Sequence, residues 1–298
     1  MKIGIIGAHS FLAQAIIKQL NRDLTHELIL FGNYSEENDH QKYYRIPETS
    51  LDIDLLSGLD AIIYCAGAGV QSNKKYPKNI IYEVNAFEPI RIMNQLGETG
   101  YAGKFVSFGS YFEIGNYPHE QPLTEEKVLL SEYPVPNDYC LSKRVFSRFI
   151  QNESSVNFKY LHFILPNIYG YGENENRLIP YLAGSIKKGA ELSLSSGIQV
   201  RQYLHVADIA SVVAANLEND ITGIFNLGSR EIISVRQLVG EVIKISGEDV
   251  TPQFGAISQR DQGMKYLALD FEKASNALNF EPEISLQEGI KGYFIKVN

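Results

Sequence analysis

The chain has 298 residues, 44% of them hydrophobic and 21% charged, with 35 acidic against 27 basic side chains and a formal net charge of −8. That balance suits one large globular domain or two smaller ones, excludes wholesale disorder, and argues against a generic binder of nucleic acid or anionic membrane. A small anionic ligand held by a few local cations stays compatible with it. Two cysteines, Cys65 and Cys140, are too few for a disulfide scaffold or a zinc cage, so no metal site is expected. No stretch reads as a targeting or membrane-spanning element; the longest weakly apolar run, 61–70, is about half of what a membrane helix needs. A reducing, cytoplasmic setting is the expectation.

In chain order, Ile3-Gly4-Ile5-Ile6 is a short apolar strand that Gly7 breaks. Residues 11–20 then show helical spacing at Leu12, Ile16 and Leu20. Residues 27–31 form a second strand. Residues 60–65 form a third, ended by Ala66-Gly67-Ala68-Gly69, and a helix is expected over 82–96. Further strands are expected at 104–108 and 158–165, with a helix between them that starts near Pro136-Asn137-Asp138. Continuous apolar strands alternating with helices predict an α/β fold with a Rossmann-type, doubly wound parallel sheet. After Gly170-Tyr-Gly172 the alternation stops. Pro180, Gly189, Gly197, Gly223 and Gly228 punctuate short elements, which predicts a smaller mixed α/β C-terminal domain.

The turn Gly7-Ala-His-Ser10-Phe-Leu-Ala13 lies between a strand and an amphipathic helix, where helix N-terminal amides hold a dinucleotide pyrophosphate. Small residues there let backbone approach phosphate. Ser10 and Ala13 stand where glycine is more usual, and the Ser10 hydroxyl can add a phosphate hydrogen bond. An ordinary strand–helix turn would look similar. At the end of the second strand, Phe31-Gly32-Asn33 offers no carboxylate for a ribose 2′-hydroxyl, which favours NADP over NAD. No Arg sits there either.

Tyr139 and Lys143 stand at i and i+4, on one face of a helix, with Leu141, Val145 and Phe149 as a separate apolar stripe suited to packing. A free phenol titrates near ~10, and a neighbouring ammonium favours its ionised form, so the pair can donate or accept a proton near neutrality. The same spacing also arises as a plain surface pair. Ser110 lies just past the 104–108 strand, at the end where parallel sheets bind ligands. Ser107, on the strand itself, reads as a packing or backbone-bonded hydroxyl.

Together these residues resemble an extended short-chain dehydrogenase/reductase of the nucleotide-sugar epimerase/dehydratase group, and the likeness runs over essentially the whole chain. Gly7 to Ala13 is similar to that family's cofactor turn, Cys65-Ala66-Gly67 to its strand-4 turn, and Asn85 to its helix-borne structural Asn. Ser110, Tyr139 and Lys143 match its catalytic trio. Pro166-Asn167-Ile168-Tyr169-Gly170, Arg201-Gln-Tyr-Leu-His205-Val-Ala-Asp208 and Gly223-Ile-Phe225-Asn226-Leu-Gly228 resemble its later motifs. The resemblance implies cofactor contacts from Gly7, His9, Ser10, Phe11, Leu12, Asn33, Ala66, Gly67, Lys143 and Pro166. It implies nucleotide-sugar contacts from Asn167, Arg201 and Arg260, with the two arginines clamping a diphosphate. Tyr139 would be the general acid/base, Ser110 would bond the substrate oxygen, and Lys143 would hold the nicotinamide ribose and depress the Tyr139 pKa. His205 reads as a packed or bonded histidine. The expected division is 1–166 plus about 201–230 for the dinucleotide domain, and about 167–200 plus 231–298 for the nucleotide-sugar domain. A homodimer is expected, with Arg144, Arg148 and Phe149 on its face.

Departures from the family pattern narrow the reaction. Dehydratases place Asp and Glu directly after the catalytic hydroxyl residue; here Tyr111 and Phe112 stand there, and Glu113 is one place too late. Phe112 also occupies the position of the Cys found in C3/C5 epimerase–reductases. Ile164 replaces a family Arg on the strand leading to Pro166. Two enzymatic readings remain. One is reduction of a 4-keto group on a nucleotide-linked 6-deoxysugar with NADP. The alternative is C4 epimerisation with tightly held NAD. A non-catalytic dinucleotide-binding protein is a third reading, disfavoured by the presence of the complete trio.

Overall fold

The computed structural model describes residues 1–69, 76–152, 157–258 and 263–295. The strands are β1 (Lys2–Ile6), β2 (Glu27–Gly32), β3 (Gln41–Tyr43), β4 (Ala61–Tyr64), β5 (Lys104–Ser110), β6 (Lys159–Leu165), β7 (Asn167–Tyr169), β8 (Ser193–Leu194), β9 (Val200–His205), β10 (Gly223–Asn226), β11 (Ile232–Ser234), β12 (Gln253–Phe254) and β13 (Tyr266–Leu267). The helices are α1 (Phe11–Leu20), α2 (Ile53–Ser57), α3 (Lys78–Tyr82), α4 (Glu88–Thr99), α5 (Glu125–Leu129), α6 (Asp138–Asn152), α7 (Leu178–Lys187), α8 (Val206–Ala215), α9 (Val235–Ser246), α10 (Glu272–Leu278) and α11 (Leu286–Lys291).

A seven-stranded sheet runs β10-β6-β5-β4-β1-β2-β3, and every pairing in it is parallel. The period-2 rule sorts its side chains cleanly. Ile3, Ile5, Ala61, Ile63, Val106, Leu161 and Phe163 pack on one face against α1 and α8. Ile6, Ile62, Phe105 and Ile164 pack on the other against α2, α4 and α6. Both faces are covered, which is why the strands read as continuous apolar runs. The strand order reverses between β1 and β4, and a ligand crevice opens there at the strands' C-terminal ends. The doubly wound fold is therefore as the alternation implied.

The C-terminal region has its own core. Leu182, Leu238, Val242 and Ile290 bring α7, α9 and α11 together over a second sheet. In it β9 runs antiparallel to β11 but parallel to β13 and β7. A short β8–β12 pair lies apart.

Two local expectations are corrected. The stretch from Arg201 was expected to rejoin the large sheet, but β9 belongs to the second one. The Gln202 side chain holds it there, donating to Ser229 O at 2.7 Å and accepting from Leu269 N at 2.9 Å. The return to the large sheet begins only at α8 and is completed by β10 beside β6. The helix expected over 82–96 is instead α3, a π-helical stretch over Glu83–Phe87, and α4. That insertion carries Asn85, whose side chain accepts from Ala68 N (2.9 Å) and donates to Ala68 O (2.8 Å) and Ser142 Oγ (2.9 Å). Single π turns inside α-helices commonly mark such functional positions. Here one ties the loop after β4 to the helix that carries Tyr139.

Candidate active site

The turn after β1 is shaped by close backbone approach. Gly7 has φ +79°, and a Cβ there would lie 2.5 Å from Ala66 N. Gly7 N and Ala8 N both donate to Phe31 O, at 2.9 and 3.1 Å, which locks the turn onto β2. Ser10 caps α1 by accepting from Ala13 N at 3.2 Å, leaving its hydroxyl proton free to donate. The helix start faces a cavity of about 550 Å³ that runs over the sheet's C-terminal edge. Gly7, His9, Ser10, Phe11, Leu12, Asn33, Ala66, Gly67 and Pro166, the residues expected at a cofactor, all line it. A Cβ on Gly32 would meet the His9 ring at 2.9 Å, so the end of β2 too is built for close approach. Small residues, a capped ten-residue helix and an elongated crevice at the sheet reversal fit a dinucleotide.

Ser110, Tyr139 and Lys143 come together on that cavity. Ser110 ends β5, and α6 crosses behind it with Tyr139 and Lys143 on the facing side. Burial raises the Tyr139 phenol above its ordinary value, and the Ser110 hydroxyl and then the Arg177 charge oppose that rise. Lys143 was expected to lower the phenol; instead its ammonium donates to Phe108 O at 2.8 Å. Burial lowers the lysine's own pKa, while Glu113 and Cys65 raise it.

The cavity is cationic in an acidic chain. Arg45, Lys143 and Arg177 line it, and among the described lining residues Glu173 is the one carboxylate. Burial pushes Glu173 up to about 7, against a hydrogen bond from the Tyr293 hydroxyl at 2.7 Å and the nearby Arg177. An overall −8 thus coexists with a site suited to an anion.

The candidate substrate residues separate. Asn167, on β7, lines the cavity and bonds the Tyr203 phenol. Arg201 is 3% exposed and is not among the cavity-lining residues; its Nη1 donates to Val200 O at 2.8 Å and its charge acts on Tyr111 and Tyr203. It sits on β9 between β11 and β13, so the strand that was expected to deliver it to the ligand buries it. Arg260 lies outside the described residues. The cation that does reach the cavity is Arg177, at the N-cap of α7, which the sequence reading passed over. Arg45 was missed in the same way. It follows β3 and reaches the Gly32–Asn33 end. The one available signal was that each directly borders an element end facing the strand C-termini.

Tyr111 is fully buried and its ring meets Phe112 edge-on at 4.8 Å; Phe112 faces the cavity with no acid or base to offer. His205 is a packed N-cap of α8, accepting from Ala207 N at 3.2 Å. Ser107 bonds the buried His162 at 2.8 Å. The expected dimer-face residues turn inward. Arg144 donates to Glu113 O at 2.7 Å, Arg148 to Leu129 O at 2.9 Å, and Phe149 packs on the core, while Leu141 and Val145 are exposed. Cys65 and Cys140 are both buried. Among the described residues there is no cluster able to hold a metal ion, and no helix is long and apolar enough to cross a membrane.

Comparison with known proteins agrees with this geometry. The family model for the NAD dependent epimerase/dehydratase family matches residues 3–228. GDP-L-fucose synthase from Azorhizobium caulinodans is 26% identical over 288 residues, covering 85% of this chain and 89% of that protein. dTDP-4-dehydro-6-deoxy-D-allose reductase from Streptomyces is 23% identical over 239 residues, covering 77% and 72%. The solved UDP-glucuronic acid 4-epimerase from Bacillus cereus, in complex with UDP-glucuronic acid and NAD, superposes with a TM-score of 0.81. It is 19% identical, with 99% of this chain and 98% of that chain covered.

Proposed function

Because this chain belongs to the NAD dependent epimerase/dehydratase family of nucleotide-sugar enzymes, we propose that it is an NADP-dependent reductase of a nucleotide-linked 4-keto-6-deoxysugar. The observation that carries this reading is the charge at the Gly32–Asn33 end of the cavity. Arg45 follows Tyr44, whose amide bonds Gly32 O, and the His9 ring lies against Gly32; Arg45 Nε is paired with Glu48 at 3.3 Å, and among the described lining residues the one carboxylate of the cavity is Glu173. A ribose 2′-hydroxyl wants an acidic partner, whereas a 2′-phosphate wants a cation and is repelled by an acid. When bound, the reduced nicotinamide supplies a hydride to C4 of the sugar.

The chain's own groups do the rest. Tyr139, held protonated by its burial, gives its proton to the oxygen that becomes an alkoxide. Ser110 bonds the same oxygen and fixes its distance from the phenol. Lys143, anchored on Phe108 O, has donors left that would hold the nicotinamide ribose, and keeps positive charge beside the phenolate left behind. Asn167 and Arg177 take the diphosphate, while the charge of buried Arg201 acts on Tyr203. Tyr111 and Phe112 leave no acid–base pair for water elimination, which weighs against a dehydratase. The relative named as a 4-dehydro-6-deoxy-allose reductase supports the substrate class.

C4 epimerisation with retained NAD is the second reading, favoured by the NAD in the solved neighbour. Purified protein with NADPH and nucleotide 4-keto-6-deoxysugars, followed by absorbance of the reduced cofactor, separates them. Oxidation of NADPH supports the reductase. Failure with every such sugar, alongside C4 interconversion of a UDP-hexose without added cofactor, overturns it. The reading includes a cytoplasmic homodimer, pairing through exposed Phe87, Leu141 and Val145 on packed helices, which light scattering of L141E/V145E against wild type checks.

A further inference from the structure

Directly behind the trio lies a second polar cluster that the reaction above does not use. Glu113 is 1% exposed in the turn after β5, and its Oε1 accepts from Ser110 N at 2.6 Å. From α6, Ser147 also bonds the Glu113 carboxyl, and Ser147 Oγ lies 2.9 Å from His162 Nε2. From β6, the other His162 nitrogen lies 2.8 Å from Ser107 Oγ on β5. These groups crowd Gly109, where a Cβ would come within 2.8 Å of both Glu113 Oε1 and His162 Nε2, and 3.1 Å of Ser147 Oγ. A carboxyl, an imidazole and two hydroxyls thus occupy a dry space one residue away from the Ser110 hydroxyl. The bond to the Ser110 amide closes a capping box around the turn over Tyr111–Ile114, so the carboxyl that holds this turn is the same one that faces Lys143 and Tyr139.

We propose that Glu113 is a positioning residue of this site: it fixes Ser110 through the Ser110 amide and couples its own charge to Lys143 and Tyr139.

The groups facing it from every packed element are Tyr139, Lys143, Arg144 and Ser147 from α6, His162 from β6 and the Ser110 amide from β5. Burial pushes the carboxyl up to about 7, and the bonds from Ser147 and the Ser110 amide and the charges of Lys143 and Arg144 hold it from rising further. His162 takes no part as a cation, because burial depresses it to about 3. Ionised Glu113 stabilises the Lys143 ammonium and raises the Tyr139 phenol. The first keeps a cation beside the phenolate that proton donation leaves; the second makes the phenol a weaker acid, so the two act in opposite directions and the charge of Glu113 sets the balance between them.

The charge half is tested without substrate, by infrared titration of the buried carboxyl in wild type minus Glu113→Gln. The expected band of the neutral acid disappears with a midpoint near pH 7. That midpoint moves up in Ser147→Ala, which removes a bond to the carboxylate, and up again in Lys143→Met, which removes a cation. A midpoint in the ordinary carboxylate range, or one that ignores Lys143→Met, overturns the coupling. The positioning half rests on the reductase reading and uses kcat with NADPH. Wild type should show a step in kcat of roughly threefold to tenfold through neutral pH. Glu113→Gln should lose that step, and Ser147→Ala should shift it to higher pH. Glu113→Val, which also frees the Ser110 amide, should lose about tenfold in kcat with the NADPH KM unchanged. A wild-type profile in Glu113→Gln overturns the proposal. If no 4-ketosugar is reduced at all, the reductase reading has failed, and the infrared midpoints still decide the role of Glu113.

Discussion

The two ends of the cavity are built by different means. The end assigned to the cofactor is made of backbone: a turn from β1 into α1, the ends of β2 and β4, and glycines whose neighbours leave no room for a side chain. The end assigned to the substrate takes side chains from two segments, Phe112 after β5 and Asn167, Glu173 and Arg177 between β7 and α7. Backbone cradles depend on local conformation and tolerate changes of side chain nearby. Side-chain clusters depend on how one layer docks on another. The same scaffold can therefore keep its cofactor while its sugar specificity changes.

The largest test of that contrast is at the junction. Tyr139→Phe should cut kcat by about 10²–10⁴ while leaving NADPH affinity within about twofold, measured by fluorescence titration. A parallel loss of cofactor binding would mean the two ends are not separable. Gly7→Ala attacks the backbone cradle alone. Its φ of +79° and the 2.5 Å approach to Ala66 N predict a loss of about 1–3 kcal/mol in stability and of most cofactor affinity. Arg177→Leu attacks only the other end, and should raise the KM for the nucleotide sugar about tenfold with the NADPH KM unchanged. Arg45→Glu should reverse the preference between NADPH and NADH by at least about tenfold; an unchanged ratio would remove Arg45 from the 2′-phosphate site.

The smallest effect is one of stability. The native state holds the Glu113 proton up to about 7 instead of the ordinary 4.5, so it binds more protons than the unfolded chain between those values. That contribution is fully present below 4.5 and is lost as pH rises through about 7. Glu113→Gln has no such loss. Its Tm should gain on wild type between pH 5 and pH 8, by at most roughly 3 kcal/mol of stability, as calorimetry at the two pH values would show.

Legibility in the sequence follows the same divide. Five strands of the large sheet, the turn at Gly7 and the shared helix face of Tyr139 and Lys143 could be read because each is encoded within a few consecutive residues; β3 and β10, short and without a continuous apolar run of their own, could not. Ile3 to Ile6 followed by Gly7 is one strand and one turn, and Tyr139 with Lys143 is one helix face. Arg201 was misplaced because its motif reads identically whether β9 joins the large sheet or the smaller one; Gln202 decides that through Ser229 and Leu269, residues distant in sequence. The α6 stripe failed for a similar reason. Helical spacing says that Leu141, Val145 and Phe149 share a side, but not which side faces the core, and Arg144 and Arg148 turned out to be held by backbone carbonyls of the chain itself.

Local periodicity and turn chemistry alone therefore determined the α/β class, the parallel sheet and the cofactor crevice, because hydrogen bonding and burial make those patterns obligatory over short spans. Only the tertiary structure decided that Arg177 and Arg45, rather than Arg201, supply the cavity's charge beside Lys143. Only it showed a carboxyl at position 113 buried against the Ser110 amide. Charge in a site is set by distance and desolvation, and both are properties of the assembled layers and not of neighbouring residues in the chain.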